Sequence, residues 1–433
     1  MRFQTLAEWL SWQESLHPSE IELGLERVRD VLQRQGHQQL GCPVITVAGT
    51  NGKGSSVAML EAIYLAAGYR VGSYTSPHLL HYNERIRMDG EPVADQVLID
   101  AFERVDQARG DISLTYFEFG TLAAIDIFAH IDLDVVILEV GLGGRLDAVN
   151  VLDPDVALIT PIALDHADWL GNDRETIGRE KAGIMRPGRP AVCGDREPPA
   201  SLQQMADEVG IALYCLGRDF TILDQDSQWR WQWGDRIRDA LPPPALRGGF
   251  QRDNAAAVLM ATELLSQRLP LSQAHVREGL ANARLPGRFE VEPGAVPLVL
   301  DVAHNAQAAQ ALADNLAAWP MPGKVYAVAA MMADKELEAI FAAMGNVVDH
   351  WCLTTVALPR AASVEQLAEA LQRAVPDAEY EEFPAVAEAL RALESRVQAN
   401  DRVVVFGSFY TVAAALAEDY NAGFPRPDPA KVK

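Results

Sequence analysis

A glycine-rich segment that carries one lysine is the part of the sequence best suited to chemistry. Its residues are Gly49, Thr50, Asn51, Gly52, Lys53, Gly54 and Ser55. Glycines let successive backbone N–H groups point into one concavity, a following helix adds partial positive charge, and the lysine supplies a full charge for β- and γ-phosphates. Because a strand is predicted at 44–48 and a helix at 55–67, the segment favours a phosphate-binding loop over a plain glycine turn.

The loop departs from the standard nucleotide-binding pattern G-x-x-x-x-G-K-[ST] at two positions. Val47 stands where the first glycine would be, and Gly54 stands where the magnesium-binding Ser or Thr would be. Another residue must therefore hold the metal ion. This departure argues against a GTPase or an ordinary kinase of that loop type.

Two further polar residues follow predicted strands. Glu139 closes an apolar run at 135–140, and His166 comes after a strand predicted at 156–160. Ligands of open parallel sheets bind at the carboxyl ends of strands, and Mg²⁺ prefers hard oxygen ligands. Glu139 is therefore a candidate Mg²⁺ ligand. For His166, residue type alone leaves metal binding and hydrogen bonding equally open.

The strands and helices that must position these residues form two successive series along the chain. Short β-branched runs alternate with helical patterns, one of them at 121–130, and this alternation predicts parallel sheets of the α/β type. The second series has strands predicted at 296–302, 324–331 and 403–406 and helices at 306–318 and 410–418. Between the two series, Pro286 and Gly287 break both helix and strand patterns, and we expect a hinge at 285–289.

One stretch outside these series is rich in tryptophan. Trp229, Trp231 and Trp233 alternate with polar residues, which is the period of a half-buried strand. An aromatic platform for a ligand would give the same spacing. Packing of these rings into the core of a β-hairpin is the favoured interpretation.

Composition excludes several classes of function. The 433 residues are 49% hydrophobic and carry a formal net charge of -23, so we expect a folded protein without a nucleic-acid partner. The four cysteines form no CxxC pair, which favours free thiols over a disulfide framework or a zinc site. No apolar stretch has the ~18 residues of a membrane span, and 1–12 lacks the apolar core of a signal peptide, so we expect a cytoplasmic protein.

The motifs, taken in order, resemble those of the Mur ligase superfamily, and within it the folylpolyglutamate synthase and dihydrofolate synthase family. The matching segments are 48–55, 75–79, 138–150, 164–166, 178–184, 285–290, 301–305 and 407–409. They cover nearly the whole chain except 195–246 and the last ten or so residues. The resemblance implies an α/β fold, with a P-loop-type ATP- and pterin-binding Mur ligase domain at 1–287 and a smaller Rossmann-like glutamate-ligase domain at 288–433.

The resemblance also implies roles for individual residues. ATP binding falls to Gly49, Thr50, Asn51, Gly52, Lys53, Gly54, Ser55, Asn254, Arg288 and Asp301. Metal binding falls to Ser76, Glu139 and His166. Catalysis falls to Lys53, to Lys181 in a carbamylated form and to His304, while His304, Asn305 and Ser408 lie near the incoming glutamate.

A third implied set binds the pterin substrate. Its members are Ile21, Glu22, Leu23, Thr115, Tyr116, Phe117, Glu118, Leu146, Asp147 and Ala148. Tyr116 and Phe117 offer flat rings for stacking, and Glu118 offers an acceptor for pterin N–H groups. Without the resemblance, a helix or strand start that packs its aromatic residues would be favoured.

Residue type alone predicts plainer roles for several of these positions. Lys181 would be a surface lysine on a helix, and Asn254 an exposed polar residue near a helix start. Ser76 would cap a turn, Glu139 would be a surface carboxylate, and His304 with Asn305 would form an N-cap pair.

The implied activity is an ATP- and Mg²⁺-dependent amide ligation. The γ-phosphoryl group of ATP passes to a carboxylate, and the amine of L-glutamate attacks the acyl phosphate. A bifunctional, monomeric enzyme is expected, with dihydropteroate and tetrahydrofolate as acceptors. The alternatives are a monofunctional folylpolyglutamate synthase, a peptidoglycan-precursor ligase, which the pterin-side segments disfavour, and a nucleotide switch, which the second domain disfavours.

Overall fold

A computed structural model of the chain describes residues 2–19, 21–225, 227–292, 294 and 296–417, with the side chains of 167 and 168 left aside. The described residues divide into two compact units. The first lies within Met1–Ala245 and Gln251–Arg284, and the second within Leu246–Phe250 and Leu285–Lys433. No helix among the described residues is long and apolar enough to cross a membrane.

The first unit contains ten helices and eleven strands among its described residues. The helices are α1 (Leu6–Leu16), α2 (Glu26–Gln35), α3 (Lys53–Ala66), α4 (Asp95–Arg109), α5 (Tyr116–Ala129), α6 (Ala167–Leu170), α7 (Arg174–Ala182), α8 (Ala200–Val209), α9 (Phe250–Leu264) and α10 (Gln273–Asn282). The strands are β1 (Val44–Ala48), β2 (Val71–Tyr74), β3 (Ile86–Met88), β4 (Glu91–Pro92), β5 (Val135–Glu139), β6 (Val156–Ile159), β7 (Ala191–Cys193), β8 (Leu213–Cys215), β9 (Thr221–Gln225), β10 (Gln228–Trp233) and β11 (Arg236–Leu241). Two short 3₁₀ helices cover Tyr82–Arg85 and Ala148–Val151.

The large sheet of the first unit has the strand order β4-β3-β2-β5-β1-β6-β7-β8. Its six strands from β2 to β8 in that order run parallel, and β3 and β4 form an antiparallel edge. Every residue of β1 and β5 is buried, as expected for parallel strands covered on both faces. Since β5, β1 and β6 are neighbours, the residues that follow them meet at one edge of the sheet.

A separate antiparallel sheet has the order β11-β10-β9. Trp229 and Trp231 on β10 are fully buried, and their indole N–H groups donate to the carbonyl oxygens of Pro242 and Ala256 at 2.8 and 3.1 Å. The prediction that these rings pack into a core is confirmed for Trp229 and Trp231, whereas Trp233 is only half-buried.

The second unit is built around one six-stranded sheet. Its strands are β12 (Glu290–Glu292), β13 (Leu298–Asp301), β14 (Val325–Ala329), β15 (His350–Leu353), β16 (Tyr380–Glu382) and β17 (Arg402–Phe406), in the order β12-β13-β17-β14-β15-β16. Its helices are α11 (Ala306–Ala317), α12 (Leu337–Met344), α13 (Val364–Ala374), α14 (Val386–Glu394) and α15 (Phe409–Ala417). All strands are parallel except β12, which pairs antiparallel with β13. The prediction of parallel α/β sheets is confirmed in both units.

Most predicted elements are present with ends shifted by a few residues. The largest difference is α5, which was expected at 121–130 and begins at Tyr116. Thr115 caps this helix and Glu118 closes the capping box, so the aromatic residues after Thr115 are already helical. The last predicted helix reached Glu418, which lies outside the described residues. All four cysteines are free thiols, as expected.

Candidate active site

The glycine-rich loop joins β1 to α3 and is anchored to the chain segment that follows β6. The backbone N–H of Thr50 donates to the carbonyl oxygen of Pro161 at 3.0 Å, and the Thr50 hydroxyl donates to the carbonyl oxygen of Ala163 at 3.1 Å. Gly52 is the N-cap of α3 and has a left-handed backbone, with no side-chain cap. The N-terminus of α3 therefore remains directed at whatever the loop binds.

Two glycines of the loop are required by close contacts and by positive φ angles. A Cβ on Gly49 would lie 1.8 Å from the Thr160 hydroxyl oxygen, and its φ is +146°. A Cβ on Gly52 would lie 2.7 Å from the side-chain oxygen of Asn254, and its φ is +92°. The structure thus brings Asn254, a predicted nucleotide contact, against the loop.

Asn254 is one of two buried amides behind the loop. Its Nδ2 donates to Gln251 Oε1 at 3.0 Å, and Gln251 Nε2 donates to the Ser55 hydroxyl at 3.1 Å. Both amides lie near the start of α9 and are almost fully buried. The expectation of an exposed polar residue at 254 is therefore wrong. Gln251 was missed by the sequence interpretation, although it stands three residues before Asn254 and so shares its helix face.

Two lysines converge on the loop backbone. Lys53 Nζ donates to the carbonyl oxygens of Gly49 and Thr50, both at 3.1 Å, and Lys181 Nζ donates to the same Gly49 oxygen at 2.8 Å. Two cationic groups therefore lie within hydrogen-bond reach of one carbonyl. This arrangement suits a polyanionic ligand, because each amine can exchange its backbone acceptor for a phosphate oxygen.

Lys181 lies on α7 but not on its surface: the residue is 4% exposed. The residue-type expectation of a surface lysine is therefore wrong. Burial lowers the pKa of the Lys181 amine to about 7, and the nearby charge of Lys53 acts in the same direction, opposed by Asp165 and Asp147. A buried amine with this pKa is largely uncharged in mildly alkaline solution.

The glycine turn after β5 allows α7 to approach closely enough for this contact. A Cβ on Gly144 would lie 2.8 Å from the carbonyl oxygen of Glu180 and 3.1 Å from the Cα atom of Lys181. A Cβ on Gly183 would lie 2.6 Å from the Cα atom of Arg145. Backbone lies against backbone at both points, so the position of Lys181 depends on glycine.

Glu139 is the last residue of β5 and is buried. Its Oε2 accepts from the backbone N–H of Ser76 at 3.2 Å, so two of the predicted metal ligands lie together. The expectation that residue type alone gave for Glu139, a surface carboxylate, is wrong. A buried carboxylate beside a serine offers hard oxygen ligands for a divalent cation.

His166 follows β6 and directly precedes α6. Its φ is +51°, its side chain is 43% exposed, and its backbone N–H donates to the Asp165 carboxylate at 2.9 Å. The strand order places the end of β6 next to the phosphate loop, on the side away from β5. A left-handed backbone at a histidine is uncommon and fits a residue held for a function.

On the predicted pterin side, Arg27 joins two of the implied residues. Its guanidinium pairs with Glu22 and donates to both oxygens of Glu118, at 2.9 Å from Nη2 and 3.4 Å from Nε. Glu118 also accepts from the backbone N–H of Thr115 at 2.8 Å. Glu118 is thus already engaged by a cation and a helix cap. Arg27 was missed by the sequence interpretation, although it stands only five residues after Glu22.

The two aromatic residues at the start of α5 are half-buried. Tyr116 lies edge-on to Tyr82 with ring centroids 5.7 Å apart, and the guanidinium of Arg85 lies over its ring at 5.6 Å. The ring of Phe117 covers Gly141, where a Cβ would lie 2.6 Å from it. Packing at a helix start, the plainer interpretation, describes these contacts, and each ring keeps part of its surface accessible.

Asp147 organises the glycine turn rather than facing solvent. Its two carboxylate oxygens accept from the backbone N–H groups of Leu142 at 2.8 Å and Val149 at 2.9 Å. Burial raises the pKa of Asp147 to about 6, although three backbone donors act against that rise. The carbonyl oxygen of Leu146, next to it, accepts from the backbone N–H of Gly24 at 3.3 Å, so the residue that follows 21–23 contacts the segment 146–148.

In the second unit, Asp301 ends β13 and is held by its own neighbours. Its carboxylate accepts from the backbone N–H groups of Phe289 and Ala303, both at 2.8 Å. Burial raises the pKa of Asp301, opposed first by the charge of Arg288. The guanidinium of Arg288 lies over the ring of Phe409 at 5.0 Å. Arg288 and Asp301 therefore belong to one cluster within this unit.

The implied glutamate-side residues follow the neighbouring strands β13 and β17. His304 Nδ1 donates to the carbonyl oxygen of Val302 at 2.7 Å, which fixes the orientation of the ring. Asn305 is the N-cap of α11, as residue type alone predicted. The Ser408 and Thr411 hydroxyls lie 2.6 Å apart. Because β13 and β17 pair in parallel, these residues share one end of the sheet.

Comparisons with known proteins cover nearly the whole chain. The family described as Mur ligase, glutamate ligase domain, matches residues 287–409. Dihydrofolate synthase/folylpolyglutamate synthase of Escherichia coli (strain K12) is 45% identical over 411 residues, covering 95% of this chain and 94% of that protein.

Solved structures of similar proteins also match this chain over nearly its full length. E. coli FolC in complex with DHPP and ADP has a TM-score of 0.91 at 44% identity, covering 96% of this chain and 97% of that one. A bifunctional folylpolyglutamate synthase/dihydrofolate synthase from Yersinia pestis, complexed with AMPPNP and Mn ion, has a TM-score of 0.89 at 47% identity, covering 96% and 98%. The predicted fold class is confirmed.

Proposed function

The chain belongs to the dihydrofolate synthase/folylpolyglutamate synthase family, and on that premise we propose that it adds L-glutamate to dihydropteroate and to tetrahydrofolate at the expense of ATP. The convergence of Lys53 and Lys181 on the Gly49 carbonyl, within a glycine loop at a helix N-terminus, is the observation that carries this proposal. Lys53 supplies a cation, and the start of α3 supplies a set of backbone donors, where a triphosphate would lie.

The reaction has two steps. The acceptor carboxylate attacks the γ-phosphorus of ATP, which releases ADP and leaves an acyl phosphate. The amine of L-glutamate then attacks the acyl carbon, phosphate leaves, and the amine loses a proton as the amide forms. Both steps depend on positioning and on stabilisation of negative charge more than on covalent participation of the protein.

The nucleotide would bind along the loop between β1 and α3. Lys53 would exchange its backbone acceptors for phosphate oxygens, and the N–H groups at the start of α3 would contact the same phosphates. Asn254 would be held in place by Gln251, since its Nδ2 donates to that amide. The roles of these residues are part of the proposal.

The residues present also fit a divalent metal ion. Glu139 presents a buried carboxylate beside Ser76, and His166 follows β6, which lies on the other side of β1 from β5. Carboxylate and hydroxyl oxygens are the ligands that Mg²⁺ prefers. When bound with ATP, such an ion would offset the negative charge of the transferring phosphoryl group. We assign Ser76, Glu139 and His166 to this site.

Lys181 has the properties that carbamylation requires. A neutral amine attacks CO₂ to form the C–N bond and releases one proton, and the lowered pKa of Lys181 makes the neutral form abundant near pH 7. The product would place a negative carbamate where a cation now contacts the phosphate loop. A carbamylated Lys181 is therefore included in the proposal.

The pterin and glutamate sites are assigned from separate clusters. The pterin side uses the segments 21–23, 115–118 and 146–148, with the Glu118 carboxylate positioned by Arg27. The glutamate side uses His304, Asn305 and Ser408, and Arg288 with Asp301 contacts the nucleotide. The proposal also includes two domains, at 1–287 and 288–433. It further includes a monomeric state and a cytoplasmic location.

The direct test is a ligation assay on the purified full-length chain. ATP, Mg²⁺ and L-glutamate are supplied with either dihydropteroate or tetrahydrofolate, and the glutamylated products are quantified. We expect product with both acceptors, lost at least ~10²-fold in Lys53→Ala because a phosphate-stabilising charge is removed. Lys324→Ala, a change at an exposed lysine of the second unit, should leave both activities unchanged.

Each other outcome corrects the proposal in a defined way. Product with tetrahydrofolate alone would make the enzyme a monofunctional folylpolyglutamate synthase. Product with neither acceptor would exclude folate substrates for this chain. Equal activity in Lys53→Ala would mean that the loop does not bind the reacting phosphates.

A further inference from the structure

We propose that His37, Asp126 and His130 form a binding site for a divalent transition-metal ion of the Zn²⁺ class. The three residues lie at the C-terminal ends of α2 and α5, not at the carboxyl ends of the strands where the nucleotide site is assigned. Two imidazoles and one carboxylate are a ligand set that zinc uses in proteins.

The three side chains are already close together. His37 Nε2 lies 3.4 Å from Asp126 Oδ1, and His130 Nδ1 lies 3.7 Å from Asp126 Oδ2. One ligand atom from each residue lies within 4.8 Å of the other two. The two imidazole rings have centroids 5.2 Å apart and planes 81° to each other.

These distances need only a small adjustment to fit an ion. Zinc bonds of ~2.0–2.1 Å in tetrahedral geometry place two ligand atoms roughly 3.4 Å apart. The His37–Asp126 pair already has this separation. His130 Nδ1 lies 2.7 Å from the backbone carbonyl oxygen of Asp126, and a metal ion would replace this contact as the half-exposed ring turns towards it.

The buried carboxylate of Asp126 is held in an orientation that suits a metal ligand. Arg104 donates to its Oδ2 from Nε at 2.7 Å and approaches it with Nη2 at 2.6 Å. Oδ1 faces the other way, towards His37 and towards Gln35 Nε2 at 3.3 Å. Arg104 thus fixes the carboxylate through one oxygen and leaves the second for an ion, as outer-shell partners of metal ligands do.

The backbone adds a field that favours a cation. Gly36 is the left-handed C-cap of α2, immediately before His37, and His130 is itself the C-cap of α5. The carbonyl groups at a helix C-terminus carry partial negative charge, and two such termini meet here. They offset the positive charge of Arg104, which would otherwise oppose a metal ion.

A fourth polar group, the side-chain amide of Gln35, contacts the same carboxylate. Gln35 Oε1 is buried and has no hydrogen-bond donor among the described residues, while the amide nitrogen of the same group donates to Asp126 Oδ1. Buried amide oxygens are rarely without a donor. A water molecule on the ion would supply one, and such a water is the usual fourth ligand of a zinc site with three protein ligands.

The bound ion would link the ends of two helices whose starts carry the proposed pterin-side pair. Arg27 and Glu118 join the first turns of α2 and α5, and Gln35 and Asp126 join their last turns. The ion would therefore stabilise the pairing of these helices, and it has no assigned part in the ligation itself.

The test compares zinc binding by the full-length chain and by His37→Gln/His130→Gln. Equilibrium dialysis against Zn²⁺ in the presence of millimolar Mg²⁺ and ADP measures zinc bound per chain, and the difference between proteins cancels any zinc at the nucleotide site. We expect one zinc fewer in the double variant. His350→Gln is the matched control, because His350 also lies beside carboxylates, Glu381 at 3.1 Å and Glu379 at 3.8 Å.

Thermal unfolding provides the second measurement. Zinc should raise the unfolding midpoint of the parent chain and of His350→Gln, but not that of the double variant, because ligand binding stabilises only the state that holds the site. His130→Gln alone, at an exposed position, replaces the double variant if the latter fails to fold. Equal zinc content in parent and variant, or equal midpoint shifts, would overturn the proposal and leave the histidines as hydrogen-bonding partners of Asp126.

Discussion

At the scale of single residues, Lys181 gives a pH dependence with a definite sign. Its pKa is about 7 when folded against an ordinary value of 10.5, so between these values the unfolded chain binds the extra proton. Stability attributable to this residue therefore increases as pH rises from about 7 to 10 and is lowest below pH 7. In CO₂-free buffer, Lys181→Met should remove that part of the pH dependence of the urea midpoint, whereas Lys324→Met should retain it.

The same substitution tests the chemical role of Lys181. We expect the ligation rate of Lys181→Met to fall on the order of 10²-fold, because a charged group next to the phosphates is lost. Added bicarbonate should raise the activity of the CO₂-depleted parent chain and leave the variant unchanged. A parent activity that does not respond to bicarbonate would remove carbamylation from the proposal.

Residue types identified the phosphate loop but not the surroundings of individual side chains. Lys53 is recognisable because glycines flank it, whereas Lys181 lies in Arg179-Glu180-Lys181, a run typical of a solvated helix face. Its burial follows from two glycines that let the glycine turn and α7 touch backbone to backbone. Gly144 lies far from Lys181 in sequence, and Gly183 lies two residues after it. Such long-range contacts have no local signal, and only the family resemblance pointed to Lys181.

At the scale of elements, the contact between the glycine turn and α7 can be tested directly. Gly144→Ala should displace α7, because the new Cβ would meet the backbone of Glu180 and Lys181 at 2.8 and 3.1 Å. We expect a loss of ~1–3 kcal/mol in the free energy of unfolding, as in other overpacked sites, and a fall in ligation rate as Lys181 moves. Gly41→Ala, where nothing lies within 4 Å of a new Cβ, is the control. Unchanged activity in Gly144→Ala would show that α7 need not lie so close.

The elements themselves were largely predictable. The continuous apolar runs of β1 and β5 predict strands buried on both faces, and the structure has them there. The start of α5 was misplaced because the aromatic residues at 116–117 resemble a strand, although Thr115 and Glu118 form a capping box. The order of strands in each sheet depends on long-range pairing and could not be obtained from local patterns.

At the scale of the whole molecule, one nucleotide site has to serve both proposed reactions. Among the described residues, the loop after β1 is the glycine-rich turn that presents a lysine at a helix N-terminus. If dihydropteroate and tetrahydrofolate are activated there, they compete for one transferable phosphoryl group. With both acceptors saturating, the rate of ADP release should not exceed that of the faster acceptor alone. Rates that add would require two independent sites, whereas an intermediate rate would follow from shared occupancy weighted by the two affinities. The same experiment with Lys53→Ala sets the baseline, since any ADP release that survives there does not come from the loop.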